Sequence, residues 1–515
     1  MFPALSVLIL LPVLGAVAVA ALPKRRPELV FPMALAASAL PLGMALWVLW
    51  NFEAGEAGFQ MIEAAVWSET LGIGWKLGID GISLFLVVLT AVLFPLAIAA
   101  SRSIADRTKA YMVSMLVLEA GLLGVFVSLD LLVFFAFFEI VLVPMYLLIG
   151  IWGSGNRAYA ALKFVLYTAF GSAFLLAGII ALALITGDQV GATASFDFRD
   201  MLDLGLSSST QLWLFAAFGI AFAIKVPLFP LHTWLPDAHT EAPTAGSVVL
   251  AGVLLKMGTY GFLRFNLTLF PQASVDLAEV MAVLGVIGII YGAAVAIVQP
   301  DVKRLVAYSS ISHLGFILLG TFALTRQGIQ GGVFQMVSHG LTTGALFLLI
   351  GMLYDRRHTR RIDAYGGIAS VMPVYAGVFL FMAFASAGLP SLSGFVGEFT
   401  ILLGSYPTVP GLAIVAGFGV ILAAIYLLWA YERIFTGPVV HPENEGLKDL
   451  VAREVAIVAP LIVLIVALGV YPKPMLDRIG PSVDAVIERI EATTDYVAPI
   501  PGPTLVVRAD EAGED

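Results

Sequence analysis

The sequence predicts an all-α polytopic membrane protein with about fourteen transmembrane helices. Three observations support this fold class. First, 60% of the 515 residues are hydrophobic, only 12% are charged, and the mean hydropathy is +0.97, which excludes a water-soluble globular protein. Second, the apolar residues fall into runs of about 20, the length that crosses a bilayer as a helix. Third, basic residues gather in alternate connections between these runs.

The predicted spans follow the apolar runs in chain order. They lie near 2–22, 29–50, 79–100, 110–129, 131–151, 158–186, 212–235, 243–265, 276–298, 302–324, 330–353, 371–406, 411–435 and 455–472. We expect the first span to be retained, because its basic residues follow the apolar run, the reverse of a secretory signal. Pro227 and Pro230 in the seventh span and Pro390 in the twelfth remove backbone donors, so both spans are predicted to be broken.

The distribution of Lys and Arg predicts the orientation in the membrane. The connections rich in these residues are 24–26, 102–109, 157–163, 303–304, 356–361 and 433–453. The opposite connections hold only Lys76, Arg199, Arg264 and Arg326. By the positive-inside rule the rich set faces the cytoplasm of a bacterial plasma (inner) membrane, which places both termini outside the cytoplasm.

The order of the broken spans predicts internal symmetry. Spans 4–8 and 9–13 each contain five helices, and an odd number gives the two halves opposite orientations in the membrane. The fourth span of each half is the broken one. We therefore divide the chain into N-terminal spans 1–3 (1–108), a first half (109–270) and an inverted second half (271–436). The remainder, 437–515, is predicted to be a cytoplasmic loop, span 14 and, from Tyr471, an acidic, mostly disordered and exposed tail.

Several kinds of site are excluded or unsupported by the sequence. The chain has no cysteine, so it cannot hold a disulfide or a Cys-ligated iron–sulfur cluster. No Gly-Lys dipeptide is present, which excludes a Walker A phosphate loop, and Gly72-Ile73-Gly74 lacks the context of a dinucleotide site. We predict no cofactor and no metal in this chain.

Ionisable residues at membrane depth are the candidate functional residues. They are Glu119, Glu139, Lys225, Lys256, His313, His339 and Glu398. A charged side chain exposed to lipid costs about 2.5–3.5 kcal/mol. We therefore expect these groups to face one another or water, as they would in a path for ions or protons.

Other interpretations of these residues remain open at this point. Glu139 and Lys225 could form a structural ion pair, and the two histidines could be ordinary interior hydrogen-bonding groups. Glu119 could pair with Lys163 or support Glu139. Three further residues, His232, His239 and Glu241, could line an entrance to the path or belong to a polar turn with a helix cap.

Residues 226–256 also carry a family resemblance. They contain Leu-Pro-Asp-Ala-His at 235–239 and Ala-Pro-Thr-Ala-Gly-Ser at 242–247. This stretch resembles the signature of the proton-conducting, antiporter-like membrane subunits of respiratory complex I (bacterial NADH:quinone oxidoreductase) and of multi-subunit sodium/proton antiporters. Matching motifs run from about Asp80 to Tyr431. Within that family the chain most resembles the M type, because Glu398 stands where sibling subunits have lysine and no long lateral helix follows span 14.

The resemblance implies a role for each candidate residue. Glu139 and Lys225 match the pair that gates the proton path, and Lys256 matches the central lysine that stores or relays the proton. His313 and His339 match the histidines that bridge to the second half. Glu398 matches the last group on the way out of the membrane. Glu119 is expected to support this relay.

The resemblance also implies a function and partners. The function is proton translocation in the membrane arm of NADH:quinone oxidoreductase, driven by redox chemistry on partner subunits that hold NADH, FMN, iron–sulfur clusters and quinone. Membrane neighbours of the L, N and K types and the lipid bilayer are the expected partners, and nucleic acid is not one. A cation/proton antiporter subunit is the alternative, and a purely structural membrane anchor is a remote third.

Overall fold

The computed structural model describes residues 2–499, and this part of the chain is mostly helical. Twelve of its helices are long and apolar enough to cross a membrane. Every predicted span coincides with helical structure, which confirms the all-α membrane fold. The two predicted spans outside the twelve, 212–235 and 371–406, are each divided into shorter helices, so the count of fourteen crossings stays a prediction.

The N-terminal region consists of three helices and a hairpin. In chain order these elements are α1 (Ala4–Ala21), α2 (Val30–Asn51), β1 (Gln60–Ser68), β2 (Ile73–Ile79) and α3 (Gly81–Ala100). The two strands are antiparallel, with Gln60 opposite Ile79 and Ala64 opposite Lys76. The sequence analysis did not predict this hairpin. Asp80 caps α3 by accepting hydrogen bonds from the backbone N–H groups of Ile82 and Ser83.

An ion pair fixes the hairpin to a connection on the same side. Lys76 Nζ of β2 lies 3.3 Å from Asp197 Oδ2, which also pairs with Arg199 at 2.7 Å. Burial raises the pKa of Asp197, but its hydrogen bonds with Arg199 and the charge of Lys76 outweigh that effect, so the pKa lies below its usual value. The carboxylate therefore stays ionised and holds the two segments together.

The first half contains eight helices, several of them short. They are α4 (Thr108–Val127), α5 (Leu131–Ile140), α6 (Leu142–Trp152), α7 (Arg157–Val190), α8 (Ser208–Lys225), α9 (Trp234–Glu241), α10 (Thr244–Val249) and α11 (Lys256–Gly261). Pro144 has no N–H to bond the carbonyl of Ile140, which accounts for the irregularity between α5 and α6. The predicted break in span 7 is confirmed: α8 ends at Lys225, and the Nε1–H of Trp234 donates to the carbonyl of Ile224 at 2.9 Å.

The helix that carries Lys256 is π-helical on both sides of it. The π-helical turns span Leu250–Leu254 and Phe262–Leu267, and they join α10 and α11 into one segment, Thr244–Leu267. Such turns shift the backbone carbonyls away from the regular helical pattern and occur often at functional sites.

The second half contains seven helices. They are α12 (Pro271–Ile297), α13 (Val302–Phe322), α14 (Arg326–Arg357), α15 (Ile368–Val371), α16 (Pro373–Ser386), α17 (Ser393–Ser405) and α18 (Pro410–Phe435). The predicted break in span 12 is confirmed between α16 and α17, where Gly388 and Ser391 have φ of 78° and 75°. The inverted relation between the halves stays a prediction.

Three segments form the interior of the molecule. Within their most apolar 18-residue windows, Thr244–Leu267 and α14 are completely buried and α13 is 94% buried. The flanking helices α7, α12 and α18 are half-buried at most. The interior segments are therefore shielded from lipid by the rest of the chain, and they carry three of the seven candidate residues, Lys256, His313 and His339.

The C-terminal region corrects one prediction. After α19 (Ala452–Val470), residues from Lys473 do not form the expected disordered, exposed tail but an amphipathic helix, α20 (Lys473–Thr493). Its buried apolar residues include Met475, Ile479, Val483, Ile487 and Ile490, which recur every three or four positions and form one face. The helix packs against α3, α12 and α14. The last part of the predicted tail, including 509–515, lies outside the described residues.

Single turns of 3₁₀-helix complete the described structure. They lie at Pro27–Leu29, Ser101–Ser103, Ile362–Ala364 and Pro442–Asn444. All four belong to connections that the sequence analysis placed on the cytoplasmic side. They shorten these connections and leave the spans closely packed.

Candidate functional site

Lys256 lies at the centre of the molecule and is completely buried. Its Nζ donates a hydrogen bond to the carbonyl of Ala251 at 2.5 Å, within the preceding π-helical turn. The same Nζ lies 2.6 Å from Nδ1 of His339 on α14. The ammonium group is therefore held by a carbonyl, which cannot accept its proton, and by an imidazole, which can.

The two candidate histidines lie side by side beyond Lys256. The rings of His339 and His313 have centroids 5.5 Å apart. His313 Nδ1 lies 2.6 Å from Oε1 of Glu398 on α17, and both residues are at most 3% exposed. The Nε2 atom of His313 faces the hydroxyls of Ser386 at 3.3 Å and Tyr426 at 3.4 Å.

Four of the seven predicted residues thus lie in one series: Lys256, His339, His313 and Glu398. They come from α11, α14, α13 and α17, and each of these helices packs against at least one of the others. The series is hydrogen-bonded at both ends, whereas His339 Nε2 has no hydrogen-bond partner among the described residues and the two imidazole rings are only adjacent. Each member can bind and release a proton. We call this series the central relay.

The predicted gating pair has a different geometry. Glu139 and Lys225 are not within 4.0 Å of each other, so the alternative of a structural ion pair is wrong for this structure, and the gating role of the two residues stays a prediction. Glu139 is partly exposed, and its Oε1 accepts a hydrogen bond from the hydroxyl of Ser172. Lys225 Nζ has no hydrogen-bond partner among the described residues and lies 4.7 Å from the centre of the Phe138 ring.

Glu119 is completely buried on α4, and neither carboxylate oxygen has a hydrogen-bond partner among the described residues. The alternative that it pairs with Lys163 is wrong, because Lys163 Nζ contacts Asp237 Oδ2 at 2.8 Å. Buried polar groups normally have partners, and a carboxyl group without one is typical of sites where protons are held or exchanged.

Comparison with known proteins decides the family. A family profile described as "NADH:quinone oxidoreductase/Mrp antiporter, TM" matches residues 128–425. The chain is 46% identical to the NADH-quinone oxidoreductase subunit M of Rhodobacter capsulatus over 90% of its own length and 92% of the relative. It is 42% identical to the NADH-ubiquinone oxidoreductase chain 4 of Marchantia polymorpha over 94% and 97% of the two chains. The chain belongs to the subunit M family of NADH-quinone oxidoreductases.

Solved structures agree with this assignment. The present protein superposes on a chain of respiratory complex I from Thermus thermophilus with a TM-score of 0.86 and 32% identity. The superposition covers 94% of the present protein and 99% of the Thermus chain. The present protein also superposes on a chain of the Mrp complex from Dietzia sp. DQ12-45-1b with a TM-score of 0.83 and 22% identity, covering 96% and 100%. The second similarity concerns the fold alone.

Two further histidines lie between the end of α8 at Lys225 and the start of α10 at Thr244. His239 on α9 is completely buried, stacks on Phe347 with centroids 4.7 Å apart, and has no partner for either ring nitrogen among the described residues. His232 Nε2 lies 3.3 Å from the hydroxyl of Tyr291. No side chain caps α9 or α10, so the alternative of a helix cap is wrong.

A polar cavity of about 200 Å³ opens beside this loop, among connections predicted to be cytoplasmic. Its lining includes Glu241, Lys303, Tyr354 and Arg360. Lys303 Nζ donates to the carbonyl of Ala242 at 2.5 Å, which fixes the turn just after Glu241. Glu241 therefore lines this cavity, and its role at an entrance to the path stays a prediction.

The opposite end of the lysine-bearing helix carries an ion pair that sequence reasoning missed. Arg264, counted in an outer connection, is only 5% exposed, and its NH2 group lies 2.6 Å from Oδ1 of Asp80. Its guanidinium also stacks over the rings of Phe59 and Tyr260. Asp80 at the start of span 3 could have indicated this ion pair. An acidic residue that caps a helix can also bind a nearby cation.

Proposed function

We propose that this chain translocates protons in the membrane arm of an NADH:quinone oxidoreductase, and that the central relay carries them towards the outer side. Membership of the subunit M family supports the complex and the activity. The observation that carries the relay is the series from Lys256 through His339 and His313 to Glu398, with contacts of 2.6 Å at both ends and ring centroids 5.5 Å apart between the two histidines.

The chemistry of the relay is a sequence of proton transfers between groups of different basicity. A proton on Lys256 passes to Nδ1 of His339, and the facing ring of His313 takes one in turn. His313 then donates through Nδ1 to Oε1 of Glu398. Because both ring nitrogens of an imidazole can bind a proton, each histidine can receive on one side and donate on the other.

The first half supplies protons to this relay. We propose that Lys225 is the station before Lys256 and that Glu139 controls whether Lys225 keeps its proton. The Coulomb attraction between a carboxylate and an ammonium about 4 Å apart is about 4 kcal/mol at an effective dielectric constant of about 20. With Glu139 bonded to Ser172 instead of contacting Lys225, Lys225 has less of that stabilisation and becomes a better proton donor. Glu119, buried on α4, supports this region as a further proton-binding group.

We propose that the cytoplasmic cavity and the histidines of the α9 loop are the entrance. The cavity contains Glu241, and His239, two residues earlier, reaches the interior beside Phe347. This arrangement offers titratable groups between the cytoplasmic side and Lys256.

The energy for the cycle comes from partner subunits. The family is part of a multi-subunit membrane complex, and we propose that the NADH, FMN, iron–sulfur and quinone sites lie on other subunits. Neighbours of the L, N and K types in the membrane are part of the same proposal. A cation/proton antiporter subunit is the weaker candidate, because the similarity to the Mrp chain concerns the fold alone.

The proposed location is the inner membrane of a bacterium, with both termini outside the cytoplasm. The chain is a multi-pass membrane protein. A reporter that is active only outside should report activity when fused after Asp515, and one active only inside should do so when inserted after Arg361. The reverse pattern would overturn the orientation.

Glu398 provides the experiment for the relay. Glu398→Gln keeps the size of the side chain but cannot titrate, whereas Glu398→Asp titrates but is one methylene shorter. We expect Asp to retain more proton pumping than Gln, measured in sealed vesicles at matched abundance of the complex and matched NADH oxidation. Equal pumping by Gln and wild type, with Asp impaired, would remove Glu398 from the relay.

A further inference from the structure

Gln335 lies beside the central relay, yet it cannot carry a proton along it. It is on α14, four residues before His339, so both side chains project from the same face of the helix. It is 2% exposed, and its Nε2–H donates a hydrogen bond to Oε1 of Glu398 at 3.0 Å. An amide donates and accepts hydrogen bonds but does not titrate at neutral pH.

The backbone next to Glu398 leaves room for this amide. A Cβ atom at Gly397 would overlap Oε1 of Gln335, so any other residue there would displace the glutamine side chain. The close approach of α14 and α17 at this point therefore requires glycine at position 397. It places the amide of Gln335 within hydrogen-bonding distance of Glu398.

The two oxygens of Glu398 have different environments. Oε1 is shared by Gln335 Nε2 at 3.0 Å and His313 Nδ1 at 2.6 Å. Oε2 has no hydrogen-bond partner among the described residues and lies towards Gly388, at the break between α16 and α17. The carboxyl group of Glu398 is thus oriented with Oε1 bonded to His313 and Gln335 and with Oε2 directed towards the break between α16 and α17.

We propose that Gln335 is a positioning residue of the relay, which holds Oε1 of Glu398 against His313 and favours the ionised carboxylate that accepts the proton. This inference rests on the proposed function and deepens it. Without the amide, Glu398 would bind its proton more tightly and release it more slowly at low pH, because a hydrogen bond donated to a carboxylate stabilises the charged form.

The groups that face Glu398 from the surrounding helices set the background for this effect. His313 from α13 contacts Glu398 directly, the hydroxyls of Ser386 on α16 and Tyr426 on α18 contact the other ring nitrogen of His313, and His339 stands behind His313. The remaining neighbour, α19, contains only apolar residues and glycine after Glu454. All of these groups are retained in every Gln335 variant below.

The test compares two substitutions of Gln335 with one matched control. Gln335→Met keeps the length but removes the donor, and Gln335→Glu keeps the shape but adds a second carboxyl group beside the first. Gln327→Met makes the same chemical change as the first variant at an exposed position of α14. Proton flux per NADH oxidised is measured in sealed vesicles containing the whole complex, as a function of pH and at matched abundance.

We expect the acidic limb of the flux profile to move to higher pH by about one unit in Gln335→Met. The shift should be larger in Gln335→Glu, because two adjacent carboxyl groups share a proton tightly. Gln327→Met should follow wild type. Oxidation of NADH with an artificial electron acceptor should keep its own pH profile in all three variants.

A profile unchanged by both Gln335 substitutions, or one lowered equally at every pH, would overturn the inference. Failure of both variants to assemble would also overturn it, since Gln335 would then be a packing residue. Glu398→Gln separates this outcome from failure of the proposed function. If Glu398→Gln loses pumping while the Gln335 variants match wild type, only the role of Gln335 is wrong; if Glu398→Gln pumps normally, the relay itself is wrong.

Discussion

The two halves of the molecule hold their charged groups in contrasting ways. In the second half, His313 and Glu398 are in contact at 2.6 Å and both are at most 3% exposed. In the first half, Lys225 is buried without a partner among the described residues, and Glu139 is partly exposed and bonded to Ser172. One site is closed and continuous, whereas the other is separated and reaches the surface of the chain.

This contrast indicates where the proton path can be controlled. In the central relay the contacts at both ends are formed inside the protein, away from the surface of the chain. A carboxylate at the surface, by contrast, can respond to a neighbouring subunit, and its distance from Lys225 decides how strongly that lysine holds its proton. The first half therefore suits a control point, and the second half suits conduction.

Lys256 joins the two regions, so its removal should have the largest effect. Lys256→Met should slow proton transfer through this chain about a hundredfold or more, the usual contribution of a positioned acid or base. Proton flux per NADH in sealed vesicles measures the loss. Lys473→Met, at an exposed position of α20, is the matched control and should pump like wild type. Normal flux in Lys256→Met at normal abundance would show that the path avoids the centre of the molecule.

Substitutions at Lys225 and Glu139, the proposed control point, should reduce proton flux by an intermediate amount, and their effects should not add. Lys225→Met and Glu139→Gln should each reduce flux about tenfold, and the double variant should be no worse than the more impaired single one, because each change disables the same pair. Lys225→Met should assemble normally, since it removes a buried charge that has no hydrogen-bond partner in the described part of the chain. Glu279→Gln, an exposed carboxylate on α12, is the control. Additive losses would show that the two residues act independently.

The smallest effect on proton flux is expected at Tyr426, which lies beside the central relay. Tyr426 OH lies 3.4 Å from His313 Nε2, a long and therefore weak hydrogen bond. Tyr426→Phe should lower flux less than threefold, since such a bond contributes about 0.5 kcal/mol. The same vesicle assay measures it, with Tyr406→Phe at an exposed position as control. A loss as large as that of Lys256→Met would place Tyr426 within the relay.

The membrane fold could be predicted closely because it depends on local composition. Apolar runs of about 20 residues marked the spans, and prolines near Lys225 and at Pro390 marked both breaks. The β1–β2 hairpin was missed because it is short and amphipathic within an otherwise helical protein. The helix α20 was missed because its acidic, proline-containing sequence was read by composition, although Ile479, Val483 and Ile487 recur every four residues.

The residues of the site could be predicted from charge at membrane depth, but their contacts could not. The contact between His313 and Glu398 joins α13 to α17, and neither sequence distance nor periodicity specifies which helices pack. For the same reason Gln335 gave no signal: a neutral side chain in an apolar helix is notable only when its partner is known. The separation of Glu139 from Lys225 likewise depends on Ser172 and on the irregular junction between α5 and α6.

The most direct test of the central relay is at His339, the residue that connects Lys256 to His313. Proton flux per NADH oxidised should be measured in sealed vesicles for His339→Met and for His358→Met, an exposed histidine one residue beyond the end of the same helix. At equal abundance and equal NADH oxidation with an artificial acceptor, we predict that His339→Met loses the protons carried by this chain and that His358→Met pumps like wild type. Wild-type flux in His339→Met, with the complex fully assembled, would contradict the account.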